Sequence, residues 1–396
     1  MSAGLAGSMV PGAGEGAGSP APTRSGDGRG PRVIAFYLPQ FHPIPENDEW
    51  WGKGFTEWTN VARAKPLFRG HYQPHVPADL GFYDLRLPET REAQAELARE
   101  HGIEGFCYWH YWFGDGRRIL ERPFDEVLAS GRPDFPFCLG WANQTWSGIW
   151  HGAPDRVLIR QTYPGPADHE RHFRHLLPAF RDSRYLRVNG RPIFVVYAPA
   201  ELPDARSFID QWNGLARSEG LPGIYFVAHW NNASQAGFDA FVRNLPFVNM
   251  RPFGPRVVLH YLEAALRRYL NFDLRRLGLR RGPIVRRYAD YVRHFLQTPL
   301  APGERPLLIP NWDNTPRSGR RGVVLQGATP ELFERICFAA KKQVEGLPDT
   351  EERLVFLKAW NEWAEGNHLE PDQRYGAGFL RAVSEAFGPG RTQSSA

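Results

Sequence analysis

Eight short apolar runs, most of them followed by a stretch of helical periodicity, punctuate the sequence between Arg32 and Trp360. They read "VIAFYL" from Val33, "GFCYW" from Gly105, "FCLGW" from Phe137, "IFVVY" from Ile193, "IYFVAHW" from Ile224, a weaker "DAFV" from Asp239, "LLIPNW" from Leu307 and "LVFLKAW" from Leu354. Each is rich in β-branched or aromatic residues and too short for a helix, so each predicts a strand. Between them lie "PETREAQAELAREHG" from Pro88, "DHERHFRHLLPAFRD" from Asp168, "DARSFIDQWNGLARSEG" from Asp204 and "TPELFERICFAAKKQVEG" from Thr329. Several begin on a capping residue and end on Gly, which predicts helices. Strands that alternate with helices build a parallel sheet, and eight such units predict an α/β fold, a (β/α)8 TIM-type barrel with loop insertions. An open doubly wound sheet is the alternative, but no Gly-rich dinucleotide fingerprint follows the first strand.

Composition limits what surrounds this core. The first 31 residues are mostly Gly, Ala, Ser and Pro with almost nothing to bury, which predicts a disordered tail over 1–31. That tail lacks the charged start and continuous apolar stretch of a secretory signal. A catalytic domain over 32–385 and a short flexible tail over 386–396 complete the organisation. No apolar run approaches the roughly 20 residues of a membrane-spanning helix. The net charge of +5 is the small difference of 48 basic and 43 acidic residues, too mixed to argue for nucleic acid. Cys107, Cys138 and Cys337 match neither zinc-ligand nor disulfide spacing and read as reduced, buried thiols, in keeping with a cytoplasmic protein.

In a (β/α)8 barrel the chemistry gathers at the C-terminal ends of the strands. The tryptophans fall there: Trp109 and Trp112 after the second run, Trp141, Trp146 and Trp150 after the third, Trp230 after the fifth, Trp312 after the seventh, Trp360 and Trp363 after the eighth. Trp50, Trp51 and Trp58 lie in the long connection after the first. Amides accompany them at Asn143, Gln144, Asn231, Asn311, Asn314 and Asn361. Flat indoles that cover apolar C–H faces, with amides and carboxylates for hydroxyls, suit a saccharide. The competing reading is that the indoles plug the barrel mouth and the amides cap loop backbone.

"AWNEWAEGNHLEPD", from Ala359, holds the central pair. Glu362 and Glu365 are three apart, so one helical turn brings them to the same side. Two carboxylates at a saccharide cleft, one protonated and one ionised, are the minimum for making or breaking a glycosidic bond. Glu370 reads as a loop or hydroxyl contact, and Glu57 and Asp313 as hydroxyl contacts in strand-top loops. His71 with His75, and His172 with His175, have metal-compatible spacing but no acidic third ligand arranged around them, so no metal is expected. No nucleophile elbow or phosphate loop is present.

At these residues the chain resembles a known family. "FYLPQFHPIPENDEWWGKGFTEWTNV", "HYQPHVPADLGFYDLR", "GFCYWHYWF", "WANQTW", "NWDNTPR" and "WNEWAEGNHLEPD" are similar to the WbsX-type glycosyltransferases, related to the endo-mannosidases of glycoside hydrolase family 99. The resemblance spans roughly Arg32 to Leu380. It implies a (β/α)8 barrel and cofactor-free, metal-free chemistry on surface polysaccharide such as O-antigen or capsule. In the related hydrolases the residue matching Glu362 assists the 2-hydroxyl in forming an anhydro-sugar, and the residue matching Glu365 is general acid, then base, with retention of configuration. Ala364 stands where those hydrolases usually carry His. Sugar-binding roles are expected for Glu57, Trp58, Trp109, Trp141, Asn143, Trp230, Asn231, Trp312, Asp313, Asn314, Trp360, Asn361, Trp363 and Glu370. A nucleotide-sugar-dependent transferase is the alternative, although neither a nucleotide-binding half nor an Asp-x-Asp motif is evident. A non-catalytic glycan-binding barrel is the third reading, against which the intact Glu pair argues.

From Arg251 to Arg293 the βα rhythm is interrupted by a segment with eleven arginines against Glu263, Asp273 and Asp290. Apolar residues from Val258 to Tyr269 recur at helical spacing, which predicts a basic helical insertion. It reads either as a helix packed on the barrel with a solvated basic face, or as a contact for a lipid-linked glycan or anionic membrane surface. The latter would hold a cytoplasmic enzyme at the periphery of the inner membrane.

Overall fold

The computed structural model describes residues 30–148, 153–229, 237–243 and 282–388, without the side chains of 153–156. All eight runs form strands: β1 Arg32–Tyr37, β2 Gly105–His110, β3 Phe137–Trp141, β4 Arg191–Val196, β5 Tyr225–Ala228, β6 Ala240–Val242, β7 as two halves Glu304–Arg305 and Leu307–Leu308, and β8 Leu354–Leu357. Every neighbouring pair is parallel, in the order β1 to β8. β8 returns to β1 in the register Arg32↔Leu354 to Ala35↔Leu357, which closes the ring. Pro306 splits β7 because it has no N–H to give. Its first half pairs with β6, its second with β8, and the Pro306 carbonyl accepts from Phe356 N–H at 2.9 Å.

Alternation along each strand sorts side chains between two layers. Phe36, Trp109 and Phe356 point inward, Phe36 stacking on Trp109 at 4.7 Å and against Phe356 at 5.7 Å. Their neighbours Tyr37 and Tyr108 point outward, against Gln94 of the helix Pro88–Glu100 and Phe124 of the helix Arg122–Ser130. Gly140 makes room for Trp109, since a Cβ there would meet the indole at 2.9 Å. The predicted helices form at Pro88–Glu100, Pro166–Arg181, Ala205–Ser218 and Pro330–Glu345. Asp204 and Thr329 accept from the N–H of Ser207 and Leu332 as N-caps. In the helix Pro330–Glu345, Phe333, Ile336, Cys337, Ala340 and Val344 form one buried stripe on the barrel. Cys107 and Cys138 are cross-strand neighbours in the core, and all three cysteines are buried.

Residues 1–29 of the expected tail and 389–396 at the other end lie outside the described residues, as does 251–281 of the basic segment. Its described end is not helical throughout. Ile284–Arg287 is a strand paired with Val323–Gln326, and a helix begins only at Tyr288, because the ladder to Val323 takes the backbone hydrogen bonds first. The final helix, Gly378–Phe387, runs past residue 385.

Candidate active site

After β8 the chain makes a tight hairpin in which Asn361–Glu362 pairs with Asn367–His368. A 3-10 turn, Trp363–Glu365, joins the two, and Gly366 follows with φ +58°. In a 3-10 turn residues three apart eclipse, so Glu362 and Glu365 emerge on one side. Gly366 is required by more than its dihedral: a Cβ would meet Asp313 Cβ at 2.9 Å, where Asp313 N–H donates to the Glu365 carbonyl at 2.6 Å.

Between the two carboxylates lies Arg317. Its Nη1 is 2.7 Å from Glu365, its Nη2 3.5 Å from Glu362 and its Nε 2.9 Å from Glu57, which opens the helix Glu57–Arg63. One guanidinium therefore fans across three carboxylates, each less than a tenth exposed. Those charges hold its proton well above the usual arginine range. Burial, then repulsion from Glu365, pushes the Glu362 carboxyl up to about 7, against the opposing pull of Arg317 and Lys358. Lys358, directly after β8, is buried with its ammonium over the Tyr197 and Trp312 rings at 5.8 and 5.4 Å.

These groups line a cleft of about 470 Å³ at the C-terminal mouth of the barrel. Aromatic walls come from Trp51, Phe55, Trp109, Tyr111, Trp146 and Tyr197, and neutral polar groups from Gln40, Asn60 and Gln144. Glu201 adds a fourth carboxylate beside Glu57, Glu362 and Glu365. The arrangement offers stacking surface, hydroxyl partners and a carboxyl pair in which one proton can be held near neutral pH.

Of the residues expected to bind sugar, the cleft takes Glu57 and Trp109 along with the Glu pair. Others stand elsewhere, for reasons of strand parity and loop bonding. Trp141 points outward against His172 and Phe208, its indole N–H donating to the Trp112 carbonyl. Trp360 packs on Phe106, fully buried, and Trp312 lies in the core beneath Lys358. Trp58 donates to the Tyr83 carbonyl, and Trp363 to Glu370. Asn143 bridges to both backbone groups of Ala198, Asn361 to both of Leu38, and Asn314 accepts from Val323 N–H. These amides cap loop backbone. Glu370 is enclosed, accepting from Trp363, Gln94 and Tyr83 at 2.5, 2.6 and 2.9 Å, with burial pushing it up to about 7. Asp313 faces a second cavity behind the hairpin, accepting from His71 and Gln73. Trp230 and Asn231 lie outside the described residues.

Sequence reasoning passed over Arg317, although it closes the "NWDNTPR" motif, and also Tyr111, Tyr197 and Lys358. A signal for the last three existed, since each stands immediately after a strand. No helix among the described residues is long and apolar enough to cross a membrane.

Comparison with known proteins agrees with this architecture. Over 94% of this chain and 98% of the other, a solved structure described as a glycoside hydrolase-like protein superposes with a TM-score of 0.54 at 14% identity, a likeness of fold. The GH99 endo-alpha-mannosidase from Bacteroides thetaiotaomicron aligns over 89% of this chain and 96% of that one, with a TM-score of 0.47 and 13% identity. Uncharacterized protein WxcX of Xanthomonas campestris pv. campestris (strain B100) is 40% identical over 368 residues, 90% of this chain and 49% of its own length. A second WxcX, from strain ATCC 33913, is 39% identical over 362 residues. The chain thus spans about half the length of the curated relatives it matches. The sequence model described as Glycosyltransferase WbsX matches residues 33–383, nearly all of the barrel, and the chain belongs to that family.

Proposed function

We propose that this barrel makes or breaks glycosidic bonds of cell-surface polysaccharide, O-antigen or capsule, using Glu362 and Glu365 without a metal in the chemistry. One observation carries the reading: two carboxylates and a shared arginine meet on the floor of an aromatic-walled cleft at the catalytic end of a barrel. Glu362 accepts the proton of the substrate's 2-hydroxyl as that oxygen attacks C1 and forms an anhydro-sugar. Glu365 gives its proton to the departing glycosidic oxygen. In the second half Glu365 takes a proton from the acceptor, which opens the anhydro-sugar, and Glu362 returns its proton to O2. Two inversions retain configuration. Water as acceptor gives hydrolysis, and a sugar hydroxyl gives transfer, the outcome that the family's description favours.

Of the pair, Glu362 has the raised carboxyl, pushed up to about 7 by burial and then by Glu365. A substrate whose 2-hydroxyl donates to Glu362 and whose glycosidic oxygen accepts from Glu365 favours the productive arrangement, with Glu362 ionised. Arg317 keeps a second negative charge tolerable beside the first. The test is to incubate the protein with surface polysaccharide of the producing organism and, separately, with nucleotide sugars, following both by NMR. The reading expects new anomeric signals without any nucleotide sugar. Turnover that requires a nucleotide sugar and releases free nucleotide would replace it with a donor-dependent transferase.

A further inference from the structure

Behind the catalytic hairpin lies a smaller cavity of about 150 Å³ whose wall includes His71, His75, Asp313, His368 and Asp372. His75, His368 and Asp372 converge there, all buried, with their ligand atoms within 4.8 Å of one another. His75 Nδ1 is 3.0 Å from His368 Nε2. The other nitrogen of His368, Nδ1, is 3.0 Å from the Glu370 carbonyl oxygen. A carbonyl can only accept, so Nδ1 carries the hydrogen and Nε2 turns a lone pair toward the other two groups. Asp372 is aimed as firmly, its Oδ1 accepting from the N–H groups of Arg374 and Tyr375 at 3.0 and 2.7 Å. Arg374, the cation on this wall, has its guanidinium over the Tyr72 and Tyr375 rings at 4.5 and 5.0 Å.

We propose that His75, His368 and Asp372 form a binding site for a divalent first-row transition ion, zinc being the best match to two imidazoles and one carboxylate. Bonds of about 2.0–2.1 Å at a tetrahedral angle put two ligating nitrogens roughly 3.3 Å apart, so the imidazoles need separate by only a few tenths of an ångström. The carbonyl behind His368 is the outer partner that metal-bound imidazoles regularly have. A plain hydrogen bond between the imidazoles uses two of the three groups and leaves Asp372 only as the cap of its own turn; a cation uses all three. No linear motif announces the site, because His75 and His368 are 293 positions apart.

Such an ion acts by position. His368 is paired with Asn361 and stacks on Trp363 at 3.6 Å, so whatever holds its imidazole holds the hairpin that carries Glu362 and Glu365. The ion lines a different cavity from the Glu pair and takes no part in the bond chemistry proposed above.

The test uses the full chain, stripped with a chelator and titrated with zinc by calorimetry, with bound metal measured by mass spectrometry. Wild type should bind about one zinc per chain and show a higher thermal midpoint with zinc than without. Asp372→Asn keeps the oxygen that Arg374 and Tyr375 hold, so it should fold; with His75→Gln it should bind zinc at least tenfold more weakly and lose the thermal shift. If His75→Gln fails to fold, Asp372→Asn decides. Failure of wild type to take up zinc, cobalt or nickel would overturn the site and leave a His–His hydrogen bond. Unchanged zinc affinity in the variants would overturn it equally.

Discussion

At the scale of single residues, the charge balance of the cleft depends on what Arg317 does to its neighbours. It lowers the Glu362 carboxyl against burial and against Glu365, which together hold that group near 7. If Glu362 acts as base, kcat/KM rises with pH through about 7, because only the ionised carboxyl can accept the 2-hydroxyl proton. Replacing Arg317 by Gln removes the opposing cation, so this limb should move to higher pH, and in Glu362→Gln it should vanish. A limb that stays put in Arg317→Gln would mean that another group is titrating. The same change strips three nearly buried carboxylates of their partner, for which a stability loss of about 3–5 kcal/mol at neutral pH is expected by urea unfolding. That loss should shrink as the pH falls below about 7, where Glu362 takes up a proton and no longer needs the cation. Trp109 forms the inner aromatic wall, so Trp109→Ala should weaken glycan binding by about 1–3 kcal/mol in a fluorescence titration. Trp141→Ala should act on stability instead, since that indole faces the helices.

At the scale of elements, the eight strands were legible because a barrel strand is buried on both faces and reads as an unbroken apolar run. Which way a terminal indole points was not. Trp109 and Trp141 both end such runs, yet one lies inside with Phe36 and the other outside against Phe208, a difference of pleat parity that composition does not carry. The pairing of Glu362 with Glu365 was legible from spacing, whereas Arg317 joins them only because Asp313 and Gly366 bring two strand-end loops into contact. The hairpin depends on that approach. Gly366→Ala should strain φ and press on Asp313, costing about 1–3 kcal/mol in thermal or urea unfolding. Because the alanine displaces the turn that carries both carboxyls, kcat should fall more than KM rises. Wild-type stability and kinetics in this variant would show that the close approach is dispensable.

At the scale of the molecule, a closed barrel presents one catalytic end, and the aromatic cleft with its four carboxylates occupies it. The segment from Arg251 to Arg293 holds eleven of the chain's 48 basic residues against three acidic ones, and most of it lies outside the described residues. Should it serve as a membrane contact, the protein should co-sediment with anionic vesicles and not with neutral ones. Each basic residue near the surface adds roughly 1 kcal/mol, and added salt should release it. Absence from both pellets at low salt would rule out the membrane contact. Turnover of Glu362→Gln and Glu365→Gln on a polysaccharide that the wild type converts, with thermal midpoints taken alongside, decides whether the pair has a catalytic role. A catalytic role means that each variant folds with a midpoint near that of the wild type, still binds glycan, and loses kcat by about a hundredfold or more, since shape is kept while the proton supply is removed. Near wild-type turnover in either correctly folded variant would contradict it.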